Sequence, residues 1–130
     1  MRRNRFLCLL IGIVILFPLH ALSGEEYKTT IAIEEGEYWW GGVVAYGSKM
    51  PYVQPLKEFN LALQHNNNQL VPLFLSNKGR YIWSEKPFAF TVAKQSITIR
   101  SEYEPIEVQQ AGTTLRDAYL KVSSTYFPPS

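Results

Sequence analysis

Short strand patterns separated by turn residues fill most of this chain, and they constrain its fold more than any other feature. The segments are rich in β-branched and aromatic residues, and several alternate apolar with polar side chains, as half-buried strands do. Seven or eight such segments at close spacing predict an all-β protein, an antiparallel β-sandwich. The predicted strands lie within Tyr27–Ile33, Tyr38–Tyr46, Phe59–Leu63, Val71–Leu75, Arg80–Ser84, Phe88–Ala93, Ser96–Ser101 and Ile106–Gln109.

Turn residues predict how these strands connect. The stretch Ser76–Gly79 separates two strand segments and predicts a hairpin, and Lys94–Gln95 predicts a second one. The pair Gly41–Gly42 interrupts an aromatic strand, which favours a bulge, a hairpin tip or a close approach of another backbone. Pro72 has no N–H to donate, so we expect it at a sheet edge or at the start of its strand. The Asn-rich stretch His65–Asn68 predicts a further turn.

One short helix is predicted after the strands, over Leu115–Ser124. Thr114 is a good N-cap, and Asp117 three residues later completes a pair resembling a capping box. A helix of about ten residues is marginal in water by itself, so it must pack on another part of the protein. Its predicted apolar face, at i, i+3, i+4 and i+7, consists of Leu115, Ala118, Tyr119 and Val122.

The first 23 residues have the three parts of a secretory signal peptide. Three arginines precede the apolar run Phe6–Phe17, and small residues at Ala21 and Ser23 predict cleavage before Gly24. The apolar run is shorter than the ~20 residues that span a bilayer. We therefore expect export to the periplasm or the extracellular space, with membrane contact only through the signal. An uncleaved anchor is the alternative, and a lipid anchor on Cys8 is disfavoured because that residue lies inside the apolar run.

Cleavage would change the charge and the cysteine content. Without Arg2, Arg3 and Arg5, the count of Lys and Arg falls from 13 to 10 against 11 Asp and Glu, and the formal net charge falls from +2 to −1. Such a chain shows no basic excess that would favour nucleic acid or an anionic membrane. The only cysteine is removed as well, which excludes a disulfide framework and thiol chemistry in the mature chain.

The titratable residues predict no catalytic centre, no metal site and no cofactor. His65 is the only histidine after the signal and lies among asparagines, which favours a solvated loop. One histidine without cysteine does not build a zinc site unless carboxylates supply the other ligands. Paired carboxylates could act on glycosidic bonds, but the glutamates lie at strand ends and turns, where solvated surface charges are expected. The sequence contains no P-loop or dinucleotide-binding motif.

The aromatic residues are the more informative candidates. Trp39, Trp40, Tyr46 and Tyr52 cluster in one stretch, and aromatic rings can stack on the apolar C–H faces of sugars. We therefore identify these four residues as candidate carbohydrate contacts. The alternative is that large rings fill the core of a small sandwich. Side chains of neighbouring strand residues point to opposite faces, so at most one of the two tryptophans is expected in the core.

Three segments resemble glycoside hydrolase family 31, which includes α-glucosidases and α-xylosidases. The central one, NQLVPLFLSNKGRYIWSEKPF, has a strand with a proline, a polar turn and an aromatic-rich strand. EYWWGGVVAYGSKMPY resembles the opening of a bacterial branch of the family, and GTTLRDAYLKVSSTYFPPS resembles its link to the catalytic barrel. The structural turn motif of the central segment consists of Ser76, Asn77, Lys78, Gly79 and Arg80.

The resemblance implies a non-catalytic domain of a larger enzyme. After the predicted signal peptide over residues 1–23, it implies a galactose-mutarotase-like β-sandwich over 24–111 and a helix and linker over 112–130. The partner would be the catalytic barrel of the same enzyme, a retaining α-glycosidase acting on oligo- or polysaccharides. Its two catalytic aspartates would lie in the barrel, so no catalytic residue is assigned to this chain. The sandwich would support the barrel and lend a loop to its active-site rim, with residues 39–52 as the candidate loop.

Two other functions remain open at this point. A stand-alone exported carbohydrate-binding sandwich would bind sugars through Trp39 and Trp40. An exported structural or interaction protein would fold stably and bind no sugar. We expect a sandwich that docks on a barrel to expose an apolar patch when alone.

Overall fold

The computed structural model describes residues 26–63 and 69–130, which form two four-stranded antiparallel sheets and one α-helix. The first sheet has the strand order β1-β7-β6-β3 and the second β2-β4-β5-β8. The elements are β1 Tyr27–Ala32, β2 Trp39–Val43, a 3₁₀ helix Val44–Lys49, β3 Leu56–Asn60, β4 Leu70–Ser76, β5 Arg80–Trp83, β6 Ala89–Val92, β7 Ser96–Ser101, β8 Gln109–Gln110 and α1 Leu115–Tyr126. The predicted signal peptide and the turn at His65 lie outside the described residues.

The main core lies between the two sheets and is rich in aromatic rings. Phe90 of the first sheet meets Phe74 of the second edge to face, with ring centroids 4.9 Å apart. Trp39, Phe74 and Ile97 have no accessible surface. Inward-facing residues of both sheets share this one cluster, which confirms the predicted all-β sandwich.

A smaller cluster covers part of the outer face of the second sheet. Here α1 packs on β4 and β5, and Ala118 and Val122 are buried against Tyr81. Trp83 stacks on Tyr126, with ring centroids 4.8 Å apart, at the end of the helix. The predicted capping box is confirmed, since the Thr114 side chain accepts from the backbone N–H at N3 and the N3 carboxylate accepts in return.

The helix continues two residues past its predicted end, and its buried stripe differs from the predicted face. Ala118 and Val122 are buried, whereas Tyr119 is 58% exposed and Leu115 is 36% exposed. The contact with Trp83 draws Tyr126 into the helix and moves the buried stripe to i, i+4 and i+8. Leu115 and Tyr119 lie beside the packed stripe.

Both predicted hairpins are confirmed, and three predicted strands are corrected. The strand predicted through Tyr46 ends at Val43, because the 3₁₀ helix begins directly after the glycine bulge. The strand predicted at Phe59–Leu63 is β3, which begins at Leu56 and ends at Asn60. The last strand is only Gln109–Gln110, since Ile106 enters the core from an irregular segment.

The position of Pro72 also corrects an expectation. Its strand, β4, lies between β2 and β5, so Pro72 is neither at a sheet edge nor at the strand start. Gly41 pairs with Phe74 and Gly42 with Val71, so the register with β2 shifts at this point. The missing N–H of Pro72 therefore falls in a bulge, where the ladder is already interrupted.

Candidate functional site

The polar turn of the β4–β5 hairpin surrounds a buried carboxylate. The side chain of Glu37 has no accessible surface, and its oxygens accept from the Trp39 indole N–H at 3.0 Å, the Ser76 hydroxyl at 2.9 Å and Nε of Arg80 at 2.9 Å. Nη2 of Arg80 and the backbone N–H of Glu34 also donate to Oε1 of Glu37. This cluster joins the start of β2 to both strands of the hairpin.

The rest of the turn motif holds the backbone around that carboxylate. Asn77 accepts from the backbone N–H of Tyr38 at 2.6 Å and donates to the carbonyl of Gly36 at 3.0 Å. Gly79 has a φ of +78°, and a Cβ there would lie 2.5 Å from the carbonyl oxygen of Gly112. Asn77 therefore ties the turn to the segment before β2, and Gly79 allows the close approach of the Gly112 backbone.

The protonation states of the cluster follow from its contacts. Burial opposes ionisation of Glu37, but the hydrogen bonds from Arg80, the Glu34 N–H and Ser76 outweigh it and hold the pKa of this carboxyl below its usual value. The hydrogen bonds to Glu37 raise the pKa of Arg80 in turn. A carboxylate whose two oxygens already accept several hydrogen bonds is a poor general acid or base, and here it holds the start of β2 against the β4–β5 hairpin.

Two of the four candidate carbohydrate contacts are core residues. Trp39 is 0% exposed and Tyr52 is 4% exposed, and the Tyr52 hydroxyl donates to the carbonyl of Gly41. Burial raises the pKa of Tyr52. Neither ring presents a face to a ligand, which corrects the expectation for these two residues.

The other two candidates lie at the surface but do not form one platform. Tyr46 packs edge-on against Phe59, with centroids 5.2 Å apart, and Nζ of Lys49 lies 4.5 Å from the centroid of the Tyr46 ring. Trp40 is half-buried on the opposite face of β2 from Trp39. The predicted split of the two tryptophans between the core and the outer face is confirmed.

Trp40 forms part of an apolar groove on the outer face of the second sheet. One cavity of about 410 Å³ lies over β2 and the adjacent part of β4, and a second of about 590 Å³ lies between β2 and α1. Both share Trp40 and Leu75, so we treat them as one feature, the outer groove. Arg116 is the single charged residue among those that line it, which are Trp40, Gly41, Gly42, Val43, Val44, Gly47, Met50, Val71, Leu73, Leu75, Leu115, Arg116 and Tyr119.

Two glycines of β2 line the outer groove and shape the sheet beneath it. Gly41 and Gly42 have φ values of +139° and +85°, and a Cβ on Gly41 would lie 2.0 Å from the carbonyl oxygen of Leu73. Gly41 thus lets the bulged part of β4 approach β2 closely. A Cβ on Gly42 would instead lie 3.1 Å from the rings of Phe74 and Phe90, so this glycine leaves room for the aromatic core.

A polar cleft of about 160 Å³ lies on the other sheet. Nε of Arg100 lies 3.4 Å from a carboxylate oxygen of Glu26, and its Nη2 contacts Glu58. These are partly exposed ion pairs of the kind that add little stability. Within residues 26–63 and 69–130, no group of three or more histidine, cysteine or acidic residues is arranged to hold a metal ion.

Every buried side-chain nitrogen or oxygen in the described part of the chain has a hydrogen-bond partner. The helix that is described is neither long nor apolar enough to cross a membrane.

No protein-family model and no curated protein sequence matches this chain.

Sequence reasoning missed the outer groove as a site. Val71, Leu73 and Leu75 are spaced by two and therefore share one face of β4, but the apolar run VPLFL by itself predicts only a strand. The sequence predicts Tyr119 on the packed face of the helix, whereas it borders the groove. The spacing of the three aliphatic residues was the signal available.

Proposed function

We propose that this chain is a non-catalytic β-sandwich that docks on a second folded domain through the outer groove. The observation that supports this most is the groove itself, an apolar face that α1 covers only in part. Val44, 62% exposed, and Val71, 37% exposed, lie in it together with half-buried Trp40. A contiguous apolar patch of this kind on a small domain is typical of an interaction surface.

The sequence resemblance supplies the identity of the partner in this proposal. The second domain is the catalytic barrel of an exported family 31 glycoside hydrolase that acts on α-linked glycans. The barrel carries the nucleophile and the acid/base of a retaining mechanism, and the sandwich supports the barrel and the rim of its active site. The 3₁₀ helix after β2 falls in the predicted rim loop and borders the groove, which supports a single surface for both roles.

The proposal is tested by reading about two kilobases of DNA beyond the codon for Ser130. We expect a reading frame for a (β/α)₈ barrel, in frame or after a frameshift, with two catalytic aspartates at strand ends. A stop codon followed by no barrel sequence would contradict the glycosidase assignment.

A stand-alone carbohydrate-binding domain is the second candidate. It is favoured by one observation, since Trp40 and Tyr119 border the same cavity with the guanidinium of Arg116. Calorimetry with starch, xyloglucan and dextran oligosaccharides tests it. Binding that is lost in Trp40→Ala and kept in Tyr103→Ala would support this candidate, because Tyr103 is 54% exposed and does not line the groove. No heat with any of these sugars would remove it.

A further inference from the structure

We infer that the outer groove receives an amphipathic α-helix of the partner domain, with acidic residues on the flank of its apolar stripe that faces α1. This inference rests on the proposed docking role and specifies the element that docks. Four observations carry it: the packing already present on this sheet face, the length of the groove, the state of the β2 edge, and the charge at the groove.

The outer face of the second sheet already packs against one helix, α1. Leu73 and Leu75 contact the cluster under α1 on one side and line the groove on the other. Because α1 packs on β4 and β5, its axis is displaced by roughly 7 Å along the sheet from a position above β2, given strands about 4.8 Å apart. A second helix at the usual spacing of about 8–10 Å from α1 would lie over β2 and the 3₁₀ helix, where the groove is.

The length of the groove also suits a short helix. Val71 to Leu75 spans five residues of β4, or about 17 Å at 3.3–3.4 Å per residue. A helix of about 11 residues covers that length.

The edge of β2 does not favour an added strand. The carbonyl of Trp39 accepts from the backbone N–H of Tyr52 at 3.0 Å, and the carbonyl of Gly41 accepts from the Tyr52 hydroxyl. A peptide that paired with this edge would first have to displace Tyr52, which is 4% exposed. A helix needs no backbone hydrogen bonds from the groove, since its own are internal.

One charge at the groove favours an acidic flank on the partner helix. Arg116 lines the groove on the α1 side, and within residues 26–63 and 69–130 it takes part in no ion pair. Lys49 ends the 3₁₀ helix but does not line the groove, and its Nζ lies over the Tyr46 ring. Carboxylates along the edge of the apolar stripe that faces α1 complement Arg116.

The test titrates the purified chain with synthetic helical peptides of about 14 residues. One has a Leu/Ala stripe with Glu flanks, the second has the same stripe with Lys flanks, and the third has the Glu flanks but a central Pro that breaks the helix. We expect the Glu-flanked helix to bind at least tenfold more tightly than either of the others. Arg116→Glu should reverse the preference between Glu and Lys flanks.

A matched pair of variants locates the binding. Val44 and Val53 are 62% and 56% exposed, and only Val44 lines the groove. Val44→Glu should lower the affinity for the Glu-flanked peptide at least tenfold, and Val53→Glu should leave that affinity unchanged.

Several results would overturn the inference. The peptide with the central Pro could bind as tightly as the intact Glu-flanked helix, or Val44→Glu and Val53→Glu could lose equal affinity for that helix. The others are an absence of binding at millimolar peptide and a discrete dimer of the chain that closes the groove. These results do not depend on the DNA beyond Ser130. A barrel frame without peptide binding would place docking elsewhere, and peptide binding without a barrel frame would assign the groove to a different partner domain.

Discussion

The near-isosteric substitution Glu37→Gln tests how much the buried carboxylate stabilises the contact between β2 and the β4–β5 hairpin. In Glu37→Gln one oxygen is replaced by an NH₂ group, which points at donors such as Arg80 Nε or Ser76 Oγ. The Arg80 side chain, only 13% exposed, would lose its counter-charge. Removing one partner of a buried ion pair destabilises proteins by about 3–5 kcal/mol. We expect about 3 kcal/mol here, because the amide keeps one acceptor.

Equilibrium urea unfolding measures this loss. With a denaturant slope of about 1–3 kcal/mol/M for a small domain, a loss of about 3 kcal/mol lowers the midpoint by roughly 1–3 M. Glu34→Gln is the control, because Glu34 also forms an ion pair with Arg80, at 3.9 Å, but its side chain is 53% exposed. Exposed pairs contribute about 0–1 kcal/mol, so the control midpoint should hardly move. Equal midpoint shifts in the two variants would refute the reasoning.

The same carboxylate predicts a pH dependence of stability. The folded-state pKa of Glu37 lies below its unfolded value, because the hydrogen bonds from Arg80, Glu34 N–H and Ser76 outweigh the effect of burial. Its contribution is therefore fully present above the unfolded pKa of about 4.3 and is lost as the pH falls through the folded pKa. Urea midpoints measured from pH 6 to pH 3 should fall more steeply in the wild type than in Glu37→Gln. Parallel curves would contradict this assignment.

Three further predictions concern the fold. Gly41→Ala should lower the free energy of unfolding by at least about 2 kcal/mol, because the added Cβ would collide with the Leu73 carbonyl and φ is positive there. The control Gly47→Ala has open space around its Cβ, so its free energy of unfolding should change by no more than about 0.5 kcal/mol. Equal urea midpoints for the two variants would contradict the bulge geometry. Thr114→Ala should cost about 1 kcal/mol by removing the N-cap, and unchanged thermal unfolding would be the contrary result. Trp83→Ala should cost about 2 kcal/mol and reduce helical circular dichroism, because α1 loses its aromatic contacts; an unchanged helical signal would argue against this packing.

The local elements could be predicted where backbone chemistry decides them. Asn77 and Gly79 mark the β4–β5 turn, and Thr114 with Asp117 marks the start of α1, because each residue type solves a specific backbone problem there. The sequence predicts Pro72 at a sheet edge or strand start, whereas its missing N–H falls in a bulge of an inner strand. That bulge depends on Gly41, in a strand distant in sequence. Pairing between distant segments is not readable from either segment alone.

The candidate site was less predictable for the same reason. The sequence predicts Glu37, like the other glutamates, as a solvated surface charge, and its burial follows only from its contacts with Arg80 and Ser76 of the hairpin. The Trp39 indole N–H also needs that carboxylate, which is why this tryptophan is in the core and its neighbour Trp40 is at the groove. The alternation of the strand predicted that the two rings separate, but it did not decide which one is buried.

The central claim is that the outer groove is an unsatisfied docking surface, and light scattering on the matched pair tests it most directly. The wild-type chain and Val53→Glu should associate into species of no fixed stoichiometry as concentration rises, whereas Val44→Glu should remain monomeric, because its carboxylate interrupts the exposed apolar groove. A wild-type chain that stays monodisperse and monomeric at all concentrations, or association that Val44→Glu does not reduce, would contradict the account.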